Sequence, residues 1–421
     1  MTAKDTSAHP VGPEPTPSHG TEVTLMVVLV LTTLTVIGPL ATDMYIPAFP
    51  AATEGLGTVA SRMQLTLTAF FLGTAGGQIV AGPLSDRTGR RLPLLIGILV
   101  CLIGSIGCAL SPDVITLIIF RVLQGIGGGF GMVLGRAVLI DLASGLQLFR
   151  VMNLMHAITG IAPIIAPLLG GLILLVGQWR EIFWLIAGTS LISLIGVITT
   201  VPESLPPHRR STGGFRALVT GGLSLLRRRT FVAFLMVSSF SAFALMSYVS
   251  ASSFVVQDML GFDPTGYSIT FAVNATGMML GTVLSARLAG TVHPRTLVAI
   301  GLGIAGSGAV LLLIAATLLG TPTWLTLIAL FIVVTPQGLI LGNAGGLASQ
   351  EAAHMAGTGS MMLGLGFSFS ASVAAPVVGV AGNGTAVPMA LGILGGMVLS
   401  ALCFLVEAGR QRGVDAAGVE K

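Results

Sequence analysis

Apolar runs long enough to cross a lipid bilayer recur along nearly the whole chain, at residues 24–47, 62–84, 92–110, 114–139, 149–176, 183–201, 230–256, 267–289, 296–318, 323–346, 355–381 and 386–407. No other feature limits the fold as strongly. A hydrocarbon core of ~30 Å is spanned by ~20 helical residues. Lipid offers the backbone no hydrogen-bond partners, so each run must satisfy its own N–H and C=O groups as a helix. The expectation is an all-α integral membrane protein with twelve transmembrane helices. Composition agrees: 53% of the residues are hydrophobic and only 9% are charged, against roughly 25% charged in a soluble domain. A water-facing surface cannot be made from so few charges.

The remaining charges set an orientation. With the N-terminus on the cytoplasmic side, the inner segments hold sixteen Lys and Arg residues, and the outer loops hold only Arg62 and Arg180. Arg121 and Arg136 fall within a span. Basic loops stay cytoplasmic, so both termini are expected there and the protein in the cytoplasmic membrane. The same distribution, short arginine runs between apolar stretches, argues against nucleic acid as a partner despite the basic pI of about 9.3.

The longest connection, 202–229, is polar and arginine-rich and lies near the midpoint. It divides the chain into a polar tail (1–22), a first six-helix bundle (23–201), a linker (202–229), a second six-helix bundle (230–407) and a closing tail (408–421). The tail at 1–22 reads as disordered. It holds no short apolar core with a small-residue cleavage site, so the first run is expected to stay in the membrane. Arg91, Gly97 and Gly104 recur as Arg295, Gly301 and Gly308, and Ala166-Pro167…Gly170 recurs as Ala375-Pro376…Gly379. The two halves therefore read as related repeats, the arrangement in which transporters place a site at the midplane between halves.

Four segments carry possible chemistry. Gly82-Pro83-Leu84-Ser85-Asp86-Arg87-Thr88-Gly89-Arg90-Arg91 is expected in the loop after the second span. A plain anchor needs only positive charge, but this stretch adds an acid, two glycines and a proline, and Asp86 paired with an arginine would make a latch. Arg121-Val122-Leu123-Gln124-Gly125 places a cation inside the fourth span. Such a residue costs several kcal/mol unless it faces a polar interior, so it is either functional or a structural arginine bonded to backbone carbonyls. The following glycines, 127 to 129 and 131, read as close helix packing. Thr42-Asp43-Met44-Tyr45-Ile46-Pro47 ends the first span, and Asp43 is the one acid that follows a long uncharged run within its own helix. A free aspartate titrates near ~3.9; burial raises a carboxyl and a neighbouring arginine lowers it. A carboxylate under both influences can carry a proton, and the alternative is an aspartate pairing at the helix mouth. Gly160, Pro163, Pro167, Gly170 and Gly171 make the fifth span a kinked, closely packed helix, a gate or a packing seam.

Together these segments resemble the bicyclomycin/chloramphenicol-resistance family of drug:proton antiporters in the major facilitator superfamily. The Thr-Asp-Met-Tyr-Ile-Pro stretch at 42–47 is the most specific part. The resemblance covers the first six spans well and the rest by topology. It implies a major facilitator fold of two pseudo-symmetric six-helix halves and proton-driven export of a small amphipathic drug, such as chloramphenicol, florfenicol or bicyclomycin, by alternating access. It further implies that Asp43 binds the proton and that Arg121 couples it, with Gln124, Tyr45, Met44 and Gln78 around the cavity. Asp86, Arg87, Gly89, Arg90, Arg91, Arg136 and Asp141 would form the cytoplasmic gate. The proline-glycine fifth span would mark an antiporter. The partners implied are the drug, protons and the bilayer, with a monomer as the working unit and no cofactor beyond the coupling proton. The chain departs from the family at Ala166, where Gly-Pro is usual, at Ile140, where a basic residue is frequent, and at Thr35, where some exporters carry a second acid. A single acid implies few protons per cycle and argues against dicationic substrates.

Other signals are weaker. Gly301-Leu-Gly303-Ile-Ala-Gly306 matches a dinucleotide-binding pattern but lies inside a membrane run, without the strand and acid that pattern requires. His156 is expected as a packed, bonded residue or as a proton relay. Trp179 and Trp184 are expected as interface anchors. Gln337 and Asn343 either line a cavity or link helices. Cys101 and Cys108 are ~10 Å apart along one helix, beyond disulfide reach, and with Cys403 read as filler. No metal-ligand cluster, phosphate loop or nucleophile–base pair is present in the sequence, which argues against an enzyme.

Overall fold

A computed structural model describes residues 24–210, 214–380, 382 and 384–419. The tail at 1–22 lies outside the described residues. Among those described, 12 helices are long and apolar enough to cross a membrane. In chain order the helices are α1 (Leu25–Asp43), α2 (Phe49–Gly55), α3 (Ala60–Thr88), α4 (Arg91–Leu110), α5 (Val114–Leu142), α6 (Gly145–Val176), α7 (Trp179–Thr200), α8 (Gly214–Leu226), α9 (Arg229–Phe254), α10 (Pro264–Leu288), α11 (Pro294–Thr317), α12 (Thr323–Val334), α13 (Gln337–Glu351), α14 (Ala356–Gly379) and α15 (Val387–Val419).

Two of the expected boundaries shift at prolines. The first span runs on from α1 through a 3₁₀ turn at Ile46–Ala48 into α2. Pro47 and Pro50 sit in the first turns of these pieces, where a missing N–H costs nothing. The segment Gly82–Thr88, expected as a loop, is the last part of α3, with Pro83 inside the helix. The pairing of Asp86 with Arg90, one turn on, supports the helix end. The turn is confined to Gly89, whose φ of +100° only glycine adopts freely. The tenth span is divided into α12 and α13 at Thr335-Pro336. The linker holds α8, which packs against α3 of the first half and against α9 and α14 of the second.

Lipid supplies no hydrophobic drive between helices, so association rests on close packing and small residues. The seam between α3 and α5 shows this. A Cβ at Gly125 would overlap the carbonyl oxygen of Phe70, one at Gly129 that of Thr74, and ones at Gly73 and Gly77 those of Val122 and Ile126. The repeats seen in the sequence do equivalent work. Gly97 and Gly104 of α4 fit Phe130 and Gln124 of α5, while Gly301 and Gly308 of α11 fit Ile340 of α13 and Ile332 of α12. Cys101 and Cys108 are buried between helices. Gln337 accepts from Ser241 at 2.6 Å and Asn343 donates to Ser285 at 2.7 Å, so both link helices. Trp184 is exposed, as expected of an anchor, but Trp179 is buried against Phe183 and Arg180.

The halves meet tightly at one end only. At the end remote from the arginine-rich loops, Gln257 donates to the Pro47 carbonyl at 3.0 Å and Gln64 to that of Ser250 at 3.1 Å. Phe49 lies 5.8 Å from Phe254, and Gly171 of α6 leaves room for Ser268 of α10. At the arginine-rich end a cavity of about 620 Å³ separates α3 and α5 from α14. The structure is thus closed at one end and open at the other.

Candidate functional site

Between the halves lies a chamber of about 400 Å³ whose wall is almost wholly apolar. Asp43 is the single charged residue on that wall. It ends α1, where the helix gives way to the 3₁₀ turn, so its carboxylate is turned out of the helix towards the gap. Thr42 donates to Oδ1 at 3.0 Å, and no described cation pairs with it. A carboxylate held with one hydrogen bond in an apolar chamber is a poor helix cap and a ready acceptor for a proton or a cation.

The opposite face comes from the second half. Tyr248 of α9 receives a hydrogen bond from Asn274 of α10 at 3.0 Å, and Ser252 and Tyr267 share one of 2.9 Å. Tyr248 shares the chamber wall with Asp43. Phe70, Phe71, Phe271 and Phe367 supply aromatic walls. Tyr248 was not foreseen from the sequence. A signal existed: the chain has only three tyrosines, and a phenol deep in an apolar run needs a partner.

Arg121 has the contacts of an arginine bonded to backbone carbonyls. It is fully buried, donates to the Thr66 and Ala41 carbonyls at 3.3 and 2.9 Å and to Gln124 Oε1 at 2.7 Å. Its guanidinium stands over the rings of Phe70 and Tyr45 at 4.5 and 5.2 Å. Gln124 passes the chain on to Ser105 at 2.9 Å. The arginine therefore clamps the end of α1 from behind, through Ala41, and does not touch Asp43. Tyr45, bonded to Met63 sulfur at 2.8 Å, and Met44, whose carbonyl packs on Gly170, are buried beside it rather than on the chamber wall. Gln78 does line the chamber. In α6, Pro163 reaches the wall, Gly170 and Gly171 are contact points and Pro167 is buried, while Gly160 faces open space.

The chamber adjoins the larger cavity at the arginine-rich end, a vestibule lined by Asp86, Arg90 and Arg136 on one side and by Gly357, Thr358 and Met361 on the other. Arg90 bonds Asp86 and, at 3.1 Å, Asp141. This cluster lies wholly within the first half. Glu203, missed in the sequence, completes it by accepting the backbone N–H groups of Arg90 at 2.8 Å and Arg91 at 3.3 Å, at the start of α4. Burial pushes the Glu203 carboxyl up, but these N–H groups, that of Leu205 and the charge of Arg210 hold it below the usual range. Arg91 also donates to the Ile198 carbonyl at 2.7 Å, and Arg87 is exposed. Arg136 has no ion pair among the described residues; His156, which lies near it, is exposed on α6 rather than packed.

Comparison with known proteins fits this arrangement. The sequence profile of the Major Facilitator Superfamily matches residues 31–376. The chain is 34% identical over 90% of its length, and 94% of the relative's, to the uncharacterized MFS-type transporter YdgK of Bacillus subtilis. It is 29% identical to the bicyclomycin resistance protein homolog of Haemophilus influenzae, over 81% of the chain and 85% of that protein. It is 27% identical to the multidrug resistance protein MdtL of Klebsiella pneumoniae, over 79% and 83%. The resemblance read from residues 42–47 is borne out by these relatives. Among solved structures, the nucleoside transporter NupG superposes with a TM-score of 0.71 at 14% identity, covering 90% of this chain and 99% of that one. Twelve spanning helices, a chamber between two related halves and these matches lead to one conclusion: the chain is a multi-pass membrane transporter and belongs to the major facilitator superfamily.

Proposed function

We propose that the protein exports a small amphipathic drug in exchange for protons. The observation that carries this reading is Asp43, alone in charge on the wall of an apolar, aromatic chamber between the halves. The relatives named for bicyclomycin and multidrug resistance support the substrate class. The arginine-rich end is cytoplasmic by the positive-inside rule, which places both termini inside and makes the present state inward-open. A drug enters through the vestibule and settles against the aromatic wall. After the halves rock to the outward-open state, a proton taken up by Asp43 favours release outside and return. The protein works as a monomer, with the proton as its only coupling ion. One proton entering across 100 mV supplies ~2.3 kcal/mol. A tenfold concentration step costs ~1.4 kcal/mol, so one proton sustains a gradient of about fifty-fold.

The test is drug accumulation in an efflux-deficient host expressing wild type or Asp43→Asn, with and without an uncoupler. Wild type is expected to lower accumulation of at least one small antibiotic, and both the substitution and the uncoupler to abolish this. Uphill export by a well-expressed Asp43→Asn protein would remove the proton role. Export that ignores the uncoupler would leave a facilitator of the same fold.

A further inference from the structure

The chamber and the vestibule share three lining residues: Gln78 of α3, Met132 of α5 and Gly364 of α14. They form the neck between the two spaces. On the first-half side the neck is made of two flexible side chains, with Gln78 Nε2 4.0 Å from Met132 sulfur. On the other side it is bare backbone. A Cβ at Gly364 would sit 3.1 Å from Gln78 Oε1 and would meet only the tip of that side chain within 4 Å. The neighbouring Gly366 differs, because a Cβ there would press on Ser239 and Leu235 of α9. Gly366 is needed for helix packing; Gly364 is not. The missing side chain at 364 therefore serves the opening. The Gln78 amide lies against Gly364.

We propose that Gln78, Met132 and Gly364 form a size filter that sets how wide a molecule can be and still pass from the vestibule into the chamber. The filter favours slender amphipathic molecules, which slip past one amide and one thioether, over broad fused-ring ones. This rests on the reading of the two spaces as one substrate path. A pocket change of a single methyl group shifts discrimination by about tenfold or more. Alanine and valine at 364 narrow the neck in steps, and alanine at 78 widens it.

The test does not depend on knowing the drug. In a background with Cys101, Cys108 and Cys403 replaced by Ala, Ser368→Cys puts a thiol in the chamber beyond the neck, and Ser360→Cys puts one in the vestibule before it. Membrane vesicles exposing the arginine-rich end are treated with two charged methanethiosulfonates, one carrying an ethylammonium group and one a fused-ring group. Gly364→Val is expected to slow labelling of Cys at 368 by the broad reagent about tenfold or more, with the slender reagent and the 360 control unchanged. Gly364→Ala should fall between, and Gln78→Ala combined with Gly364→Val should restore the broad reagent. Equal slowing of both reagents, or no change in either, overturns the filter. If the labelling pattern appears but the wild type exports no drug, the filter stands and the drug-export reading falls.

Discussion

Two charged residues show how far single positions can be read. Asp43 was legible because it is the one acid that follows a long uncharged run in its own helix, and the structure puts it on the chamber wall. Arg121 was legible as a cost that had to be met, with backbone carbonyls as one of two answers, but not as to which carbonyls. Its answer uses carbonyls and rings from three other helices, α1, α3 and α7. Contacts of that kind depend on which helix faces which, and no local pattern records it. Tyr248 was missed for the same reason, being significant only through what stands across the gap. The Arg121 arrangement needs a planar, forked cation. Arg121→Lys keeps the charge but cannot reach the Thr66 and Ala41 carbonyls together or cover the rings. The loss is expected to be about 2 kcal/mol or more, read as a lower midpoint of thermal unfolding in detergent. An unchanged midpoint would show that the charge alone suffices.

Helices were easier to find than their ends. The apolar runs gave all twelve spans, since length and hydropathy belong to the segment itself. Boundaries failed at Pro47, which sits in the first turn of the 3₁₀ piece where no N–H is needed, and at Pro83, which α3 carries in its interior, and α8 escaped notice inside an arginine-rich linker. The glycines of α5 were expected to mark close packing, and they do so unequally. Gly125 lies against the Phe70 carbonyl, while a Cβ at Gly128 would meet nothing closer than the Phe70 ring at 3.8 Å. Gly125→Ala should force α3 and α5 apart and lower the amount of folded protein in the membrane severalfold. Gly128→Ala should be tolerated, because alanine is also the better helix former. Comparable yields of the two variants by fluorescence-detected size-exclusion chromatography would contradict the seam.

At the scale of the molecule, the two-half plan was visible in the midpoint linker and in the Gly and Ala-Pro repeats. The state in which the halves are caught was not, because one sequence must serve every state of the cycle. The closed end depends on side chains that bond backbone of the other half, Gln257 to Pro47 and Gln64 to Ser250. Removing both with Gln64→Ala and Gln257→Ala withdraws about 2 kcal/mol of closure and should shift the population towards opening at that end. Spin labels at Thr53 and Gly261, measured by double electron–electron resonance, should report a longer component in the variant. Unchanged distances would assign closure to the aromatic contacts instead.

The apolar lining of the chamber has an evolutionary consequence. Most of its residues touch the void on one side, so a change of shape there alters what fits while leaving the helix seams intact. If the chain exports drugs as proposed, such a wall can drift one substitution at a time, each step keeping the carboxylate and the fold. New substrate ranges are then within short mutational reach of the old one.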